Sequence, residues 1–471
     1  MNKLVVFLFL LSATLNAEAD TWSQFRGPNG SGVSVEEKPL PDSIGPDRNQ
    51  RWVVDLPHGV SSPVVSGELI FLTGIREPSK LVTLAVRISN GTIAWESEAP
   101  INALEQTDKK PPGRLATATS VTDGETVISF FGSSGLTGYD ASSGEQLWHH
   151  KMGPYNNRRG ATTSPIIVGD CVILAQDHEE DSFCAAWNVK TGEPVWRTDR
   201  MLFSRSYVSP VVWQLQDREP LLGLIGSGLA TFYDLETGRP VWFTQGTAAV
   251  PNAHPVIGDG RIYVAGNNPG PKREFQLSHS ELVEKLDQNG DQAIQKDELP
   301  NGLFSLLFKA NDDDDGLLSA EEYDAIQKVM GTGKNGMIAI TPDGEGLDRT
   351  STNVAWSLSR STPRIASPVF YEGHLYMVKD GGVFQSVDAA TGEIVKIDRI
   401  PASGKFFSSL VLGDGKIYVA DDRGELCVIK AQPEWEVLSN SSFEETIYPT
   451  PAISGGAIYL RTETRLYCFS E

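Results

Sequence analysis

The sequence predicts an all-β fold, an eight-bladed β-propeller with four-stranded antiparallel blades that is interrupted by a small α-helical insertion. Two repeating patterns predict the propeller: a short phrase recurs at near-constant spacing, and a motif containing Gly and Trp follows several of its copies. Repeats of about 40–50 residues are typical of propeller blades, since four short strands with tight turns need that length. One oversized gap between repeats indicates the insertion.

The recurring phrase starts each predicted blade. It continues through alternating apolar residues to a Gly turn, as in the segment from Ser62 to Phe71. Successive starts lie 41 to 57 residues apart, with one gap of 113 residues. The eight starting residues are Ser62, Thr119, Ser164, Ser209, His254, Ser367, Ser409 and Thr450. Eight starts predict eight blades.

The second motif has an Asp or Asn, then two residues, Thr or Ser followed by Gly, three more residues and Trp. The full copies are Asp140-Gly144-Trp148, Asn188-Gly192-Trp196 and Asp234-Gly238-Trp242, and the degenerate copies are Gly91-Trp95 and Asp388-Gly392.

The two ends of the repeat region are expected to close the ring together. The last repeat, Thr446 to Phe469, has room for three strands, and an unassigned strand, Arg51 to Leu56, precedes the first blade. Pairing them would remove a sheet edge that could otherwise recruit another chain. The propeller is therefore predicted to comprise residues 51–270, with the closing strand 51–56, and residues 335–471.

The insertion is predicted in blade five, between a strand from Arg261 to Gly266 and a strand from Gly336 to Thr341. Gly- and Pro-rich residues flank it on both sides, which indicates loops rather than strand. Apolar residues at helical spacing lie before, between and after two acidic loops. Residues 271–334 are assigned to this unit.

The two acidic loops, Asp287 to Glu298 and Asn311 to Glu322, carry oxygen side chains at positions 1, 3, 5 and 12. That spacing is the EF-hand pattern, because Ca²⁺ prefers six to eight oxygen ligands, one of them a backbone carbonyl at position 7. The predicted ligands for two Ca²⁺ sites are Asp287, Asn289, Asp291, the Ala293 carbonyl and Glu298, and Asn311, Asp313, Asp315, the Leu317 carbonyl and Glu322.

Each loop departs once from the EF-hand pattern. Gln292 stands where a left-handed turn prefers Gly, and Asn311 replaces the leading Asp. These changes predict weak to moderate affinity rather than loss of binding. The alternatives are a solvated acidic surface helix and a recruitment module resembling a dockerin, although Glu at position 12 of both loops favours true EF-hands.

The formal net charge is −21, and residues 275–330 hold 13 acidic and 4 basic side chains. A large share of the negative charge thus lies where calcium would neutralise it. Nucleic acid is not an expected partner, because phosphate binding needs a basic face. The expected partner is another envelope protein, an anionic glycan or a small ligand.

Basic residues recur just before the first strand of several blades, and in a propeller such positions surround one end of the central channel. They are predicted to form an anion-binding ring. The alternative is that each pairs with an Asp of the adjacent blade for structural reasons. The residues are Arg114, Arg159, Arg205, Arg364 and Lys405.

The N-terminal residues have the pattern of a secretory signal peptide. Lys3 precedes the apolar run from Leu4 to Leu11, and small residues follow at Ala17 and Ala19. Residues 1–19 are therefore expected to be cleaved, leaving residues 20–50 as a leader segment and no membrane span. No Cys lies near that site, which disfavours a lipoprotein anchor. We expect a monomer that is periplasmic or secreted.

The four cysteines are Cys171, Cys184, Cys427 and Cys468, and each lies in an apolar strand phrase. Cys171 and Cys184 share a predicted hairpin but sit out of register across it. We interpret all four as buried thiols. No CxxC or CxxCH pattern occurs, which disfavours zinc, redox and haem sites.

The D-x-x-T-G-x-x-x-W repeats resemble those of the PQQ-like, quinoprotein-dehydrogenase-like family of eight-bladed propellers, over about residues 50 to 470. The segment Trp22 to Gly30 resembles the leader of bacterial envelope members. The resemblance implies that the repeat Trp and turn Gly dock neighbouring blades. It also raises a PQQ-dependent alcohol dehydrogenase, in which quinone and Ca²⁺ sit in the channel, often beneath a disulfide between adjacent cysteines.

No two cysteines of this chain are adjacent, and the predicted calcium ligands lie outside the channel. PQQ is therefore not expected, and G-x-S-x-G and zincin patterns are also absent from the sequence. The favoured interpretation is a non-enzymatic binding or interaction scaffold in which calcium orders the EF-hand insertion. The alternative is a PQQ-dependent alcohol dehydrogenase-like oxidoreductase.

Overall fold

The computed structural model describes residues 22–77, 80–101, 115–155, 160–178, 181–200, 203, 205–215, 218–266, 278–295, 298, 316–324 and 333–471. These residues form eight four-stranded antiparallel sheets, and inner strands of neighbouring sheets contact one another. The predicted all-β, eight-bladed propeller is confirmed. The expected signal peptide lies outside the described residues.

Blades one to four follow one another along the chain, and in each the strand order equals the sequence order. Blade one has β2 Val64–Ser66, β3 Leu69–Glu77, β4 Lys80–Arg87 and β5 Ile93–Glu98; blade two has β6 Val121–Thr122, β7 Thr126–Phe130, β8 Leu136–Asp140 and β9 Gln146–His150; blade three has β10 Ile166–Val168, β11 Cys171–Gln176, β12 Phe183–Asn188 and β13 Pro194–Asp199; blade four has β14 Val211–Trp213, β15 Leu221–Gly226, β16 Leu229–Asp234 and β17 Pro240–Gln245.

Blades five to eight complete the ring, and the last blade takes its outer strand, β1 Gln50–Asp55, from the start of the chain. Blade five has β18 Val256–Gly258, β19 Arg261–Gly266, β20 Gly336–Ile340 and β21 Val354–Leu358; blade six has β22 Val369–Tyr371, β23 His374–Lys379, β24 Val383–Asp388 and β25 Ile394–Arg399; blade seven has β26 Val411–Gly413, β27 Lys416–Ala420, β28 Glu425–Lys430 and β29 Glu436–Ser442; blade eight adds β30 Ala452–Ser454, β31 Ala457–Arg461 and β32 Arg465–Phe469.

The predicted ring closure is confirmed, because β1 pairs antiparallel with β32. Trp52 lies opposite Cys468 and Val54 opposite Leu466. A strand from one end of the sequence thus completes a sheet built from the other end. This closure leaves no blade with a missing outer strand among the described sheets.

Burial along each blade follows its distance from the axis. The middle strands are almost wholly buried, as in β12 and β16, because both of their faces pack against neighbouring blades. The outer strands alternate between partly buried and exposed residues, as in β1. The core is therefore a set of apolar layers between blades.

The repeat tryptophans join adjacent blades, as the family resemblance implies. Trp95 in the outer strand of blade one donates its indole N–H to the Ala141 carbonyl of blade two, at 2.9 Å. Its ring covers Gly144, whose φ of +75° favours glycine and where a Cβ would lie 2.5 Å from the ring. The equivalent pairs are Trp52 with Gly91, Trp148 with Gly192, Trp196 with Gly238, and Trp356 with Gly392.

Trp242 of blade four departs from this docking scheme. Its ring faces the Arg349 guanidinium at 4.8 Å instead of a turn glycine. The reason lies in blade five, where a longer connection with the short helix α2, Thr350–Asn353, replaces the Gly turn between β20 and β21. A cation–π contact there serves in place of the usual Trp–Gly packing.

Residues 267–335 lie between the second and third strands of blade five, at the predicted position of the insertion. Their described part includes helix α1, His279–Leu286, and helical residues 320–324. Ser278 and Glu281 begin α1 with a capping box, in which each side chain accepts the other's backbone N–H. Within the described residues, no helix is both long and apolar enough to cross a membrane.

Candidate functional site

A cavity of about 300 Å³ lies on the propeller axis. The eight starting residues of the recurring phrase all line it, and all are buried. They point to the axis because each precedes the inner strand of its blade by the same offset. The pattern that predicted the number of blades therefore also marks the wall of the axial cavity.

These starting residues are linked around the axis by hydrogen bonds that we call the hydroxyl belt. In each link a backbone N–H of one blade donates to the Ser or Thr hydroxyl oxygen of the next, at 2.8–3.0 Å. The pairs are Ser62–Thr119, Thr119–Ser164, Ser164–Ser209, His254–Ser367, Ser367–Ser409, Ser409–Thr450 and Thr450–Ser62. The sequence repeat identifies these residues but does not indicate the bonds between them.

The belt is interrupted at blade five, where His254 occupies the position of a hydroxyl residue. Neither ring nitrogen of His254 has a hydrogen-bond partner among the described residues, and Phe25 lies edge-on to the ring at 6.1 Å. Burial, together with the nearby Arg26 charge, lowers the pKa of His254 to about 3. The imidazole is therefore neutral at physiological pH.

Residues 22–34, here named the leader plug, cross one end of the axial channel. Phe25 lines the cavity itself. The plug is held by backbone and side-chain hydrogen bonds to blades that lie around the ring. These bonds join Trp22 to Val65 of blade one, Ser23 to Thr122 of blade two, Asn29 to Val212 of blade four, and Ser34 to Leu412 of blade seven.

Arg26 anchors the leader plug from a fully buried position. One of its terminal nitrogens donates to the Pro368 carbonyl of blade six at 2.6 Å. Its Nε and Nη1 have no partner among the described residues, and burial lowers its pKa to about 9. A buried cation without a carboxylate is costly, so the plug depends on close packing at this end of the channel.

A second circle of side chains, the upper ring, faces the cavity two residues before each belt residue. All eight are half-buried. Within it, Phe407 and Tyr448 meet edge-to-face at 5.0 Å, and Glu463 also lines the cavity. The upper ring is Val60, Thr117, Thr162, Tyr207, Asn252, Ile365, Phe407 and Tyr448.

Of the predicted anion-binding residues, Arg114 and Arg159 lie outside the described residues. Arg364 forms an ion pair with Asp380 at 2.7 Å, and this Asp lies in blade six, the blade that Arg364 precedes, rather than in an adjacent blade. Arg205 has a left-handed backbone with φ of +56°, and Lys405 donates its backbone N–H to Asp422. The five residues as an anion-binding ring stay a prediction.

The described lining of the axial cavity does not suit PQQ. This quinone carries several carboxylates, which would need Arg or Lys donors. Among the described residues that line the cavity, none is Arg or Lys, and Glu463 is itself a carboxylate. The described lining therefore consists of neutral hydroxyls, aromatic rings, an amide, a neutral imidazole and one carboxylate, together with apolar side chains.

The first acidic loop is folded around its own carboxylates. Asp287 accepts the backbone N–H groups of Gly290 and Gln292 at 2.6 and 2.8 Å, and Asp291 accepts that of Ala293 at 2.9 Å. Gln292 has a φ of +66°, the left-handed conformation expected at position 6 of the loop. The tight turn therefore forms without glycine at that position.

Glu298, at position 12, reaches back across the first loop. Its carboxylate accepts the N–H groups of Gln288 and Asn289 at 2.7 and 3.3 Å, and that of Gln295 at 2.9 Å. Its residue exposure is 7%, which is unusual for a carboxylate. Positions 2, 3, 9 and 12 are thus brought together around one carboxylate.

The two acidic loops contact each other at position 8. The Leu318 N–H donates to the Ile294 carbonyl at 2.9 Å, and both side chains are buried. In the second loop, Glu322 Oε2 accepts the Ser319 N–H at 2.8 Å. Glu322 Oε1 is buried and has no hydrogen-bond partner among the described residues.

The first five positions of the second loop, including Asn311, Asp313 and Asp315, lie outside the described residues. Within the described residues, no three His, Cys, Asp or Glu side chains are grouped as a metal site. In the first loop the carboxylate oxygens of Asp287 and Asp291 instead accept N–H groups of the loop. Such oxygens keep lone pairs that a cation can use.

Cys184, Cys427 and Cys468 are buried as expected, but the expectation is wrong for Cys171, which is only partly buried because it is the first residue of β11. Cys171 is opposite Asn188, and Cys184 is opposite Ala175, so the two thiols are not a cross-strand pair. All four cysteines are free. Burial raises the pKa of Cys184 to about 12, which keeps its thiol protonated.

A family model described as outer membrane protein assembly factor BamB matches residues 45–213, which is less than half of the chain. No curated protein matches the sequence. The match covers the closing strand and the blades up to the start of blade four. It agrees with the repeat-based prediction of a PQQ-like propeller for that part of the chain.

Solved structures extend the likeness of fold to most of the chain. BamB from Moraxella catarrhalis has a TM-score of 0.56 and 13% identity, covering 90% of this chain and 97% of its own. Quinohemoprotein alcohol dehydrogenase ADHIIG from Pseudomonas putida HK5 has a TM-score of 0.57 and 12% identity, covering 96% and 80%. A europium-containing methanol dehydrogenase has a TM-score of 0.50 and 11% identity, covering 96% and 98%. At these identities the likeness shows the fold and not the function.

Proposed function

We propose that this protein is an exported, calcium-binding β-propeller that acts as a non-enzymatic binding scaffold, and that calcium orders its EF-hand insertion. The contacts within and between the two acidic loops support this proposal most directly. The two acidic loops dock through Ile294 and Leu318, while Glu298 closes the first loop from position 12. In such a loop, the EF-hand positions would offer carboxylate and carbonyl oxygens to a Ca²⁺ ion.

The local charge supports a structural role for calcium. Two divalent ions would offset much of the repulsion among the 13 acidic side chains of residues 275–330. The buried Oε1 of Glu322, which has no hydrogen-bond partner within the described part of the chain, would receive a cation as its partner. Exported calcium-binding modules work with dissociation constants of about 10⁻⁴ to 10⁻³ M, so the departures at Gln292 and Asn311 are compatible with binding.

A rigid ring with the insertion on one blade suits a scaffold. Trp–Gly docking and the hydroxyl belt connect blade to blade, and the leader plug spans the axis, so the body can present loops in fixed positions. The similarity to an assembly factor of the outer membrane favours another envelope protein as partner. We place the monomeric protein in the periplasm or outside the cell.

The alternative function is that of a PQQ-dependent dehydrogenase, in line with the similarity in fold to a quinohemoprotein alcohol dehydrogenase. The described cavity lining contains a carboxylate, Glu463, and neither Arg nor Lys, which argues against this alternative. One assay distinguishes the scaffold from the enzyme. Protein mixed with PQQ and Ca²⁺ should give no dye-linked alcohol oxidation, and steady turnover would favour the enzyme.

The scaffold proposal is tested by hydrogen exchange of the full chain with calcium and with chelator. Calcium should slow exchange of the amides in residues 287–295, because the ion would fix the loop that carries them. Glu298→Gln should abolish that protection in the first loop, and Glu284→Gln, on the helix before it, is the matched control. Equal exchange in both conditions would refute calcium ordering.

The partner is tested separately by capture from envelope extract. Immobilised protein should retain its partner in calcium and release it in chelator, and the Glu298→Gln variant should retain less than the Glu284→Gln control. Identical capture by both variants would show that the insertion does not take part in partner binding.

A further inference from the structure

The open part of the axial cavity combines hydroxyl donors with aromatic surfaces. Each belt hydroxyl oxygen that accepts an amide still has its own hydrogen to donate. Among the described residues, Ser409 uses that hydrogen on Ser367. The other belt hydroxyls can turn theirs toward the axis, so the middle of the cavity offers several converging donors.

The upper ring adds flat apolar surface just outside the belt. Tyr207, Phe407 and Tyr448 line the cavity, and each is half-buried, so part of every ring is open to a ligand. Asn252 and Glu463 supply an amide and a carboxylate at the same cavity. Aromatic rings beside neutral hydroxyls, an amide and a carboxylate can contact both the C–H face and the hydroxyl edge of a pyranose.

The charge of the cavity selects among such ligands. Its described lining contains no Arg or Lys, and Glu463 would repel a uronate or another anion. The net charge of −21 acts in the same direction over longer distances. A neutral sugar fits this lining better than the anionic glycan that the sequence suggested.

The shape of the cavity limits how such a ligand enters. The leader plug closes one end with Phe25, so access is from the side of the upper ring. Its volume of about 300 Å³ is at the small end of ligand pockets, which span roughly 300–1,000 Å³. Such a space suits the end of a glycan chain rather than its middle.

We propose that the axial cavity binds the terminal pyranose of a neutral glycan, with its hydroxyls on the hydroxyl belt and its ring against Phe407 and Tyr448. This inference names a ligand for the scaffold and rests on the binding role proposed above. It does not depend on calcium, because the cavity and the insertion share no described residue.

The test is an array of neutral and uronic-acid-containing oligosaccharides probed with the full chain. We expect binding to neutral glycans that share a terminal pyranose. The corresponding free disaccharide should then titrate in calorimetry, and Tyr448→Leu or Tyr207→Leu should weaken it about tenfold, from loss of aromatic contact. Tyr371→Leu, at the far end of an inner strand and outside the cavity, is the matched control.

Thermal unfolding and calcium titration of each variant establish that the propeller and the insertion are intact. Absence of neutral-glycan binding, binding of acidic glycans alone, or equal affinity in the Tyr448→Leu, Tyr207→Leu and Tyr371→Leu variants would each overturn the assignment. Failure of glycan binding with intact calcium binding would overturn this inference alone, whereas loss of calcium binding alone bears on the insertion.

Discussion

The hydroxyl belt makes a quantitative prediction about stability. Ser164→Ala removes the oxygen that accepts the Thr119 N–H at 2.9 Å, and Thr119 is 2% exposed. A buried donor left without its acceptor costs about 1–3 kcal/mol, so the free energy of unfolding should fall by that amount. The Ser164 N–H keeps its own acceptor, Ser209, because a backbone group makes that bond.

The matched control is Ser164→Thr, because Thr already serves as a belt acceptor at residues 119 and 450. Its free energy of unfolding should stay close to that of the unmodified protein. Urea unfolding followed by tryptophan fluorescence measures both variants, with the slope checked for a shared two-state transition. Equal midpoints for Ser164→Ala and the unmodified protein would refute a structural role for the belt.

Three further predictions follow from the packing and the buried groups. Gly238→Ala should destabilise more than Gly260→Ala, since both positions have φ near +70° but only the first would place a Cβ against Trp196; equal unfolding midpoints would contradict this. Burial holds the pKa of His254 at about 3 against about 6.5 when unfolded, so the unfolded chain takes up the proton first and stability falls as pH drops through that window. His254→Phe should therefore show a shallower decline in urea midpoint between pH 6.5 and pH 4, and parallel curves would count against it. The three buried thiols, Cys184, Cys427 and Cys468, should react with iodoacetamide only after unfolding, because burial raises their pKa, to about 12 for Cys184; rapid modification of any of the three in the native protein would contradict this.

The architecture could be predicted because its signals are local and repeated. Phrases such as that starting at Ser62 recur once per blade, and the gap between His254 and Ser367 located the insertion. The closing strand was also predictable, since a three-stranded last repeat leaves an unpaired edge. Its observed bounds, Gln50–Asp55, differ by one residue at each end from the expected strand.

The axial site was less accessible to sequence reasoning because it is made by contacts between distant residues. The sequence around the leader plug does not indicate that Phe25 lines the axial cavity or that Arg26 donates a hydrogen bond to Pro368, more than 300 residues away. The hydroxyl belt could not be predicted for a similar reason. The sequence shows Ser164 only as the start of a blade, and its role as an acceptor depends on the Thr119 N–H of the preceding blade. The equal offset of these residues was the signal that could have revealed it.

At blade five, the repeat motif predicts a Trp–Gly contact that the structure does not have. The motif at Asp234-Gly238-Trp242 suggested that Trp242 would meet a turn glycine, but the next blade has a longer connection and supplies Arg349 instead. Docking depends on both blades, and the motif describes one of them. The predicted calcium ligands in turn follow from spacing within a single loop, which is why they can be named residue by residue from the sequence, and they stay a prediction.

Calorimetric titration of the full chain with Ca²⁺ tests the central claim most directly. We predict uptake of two ions by the unmodified protein, one by Glu298→Gln, and two by the Glu284→Gln control, with dissociation constants of about 10⁻⁴ to 10⁻³ M. Absence of calcium uptake by the unmodified protein, or the same uptake in the Glu298→Gln variant, would contradict the account.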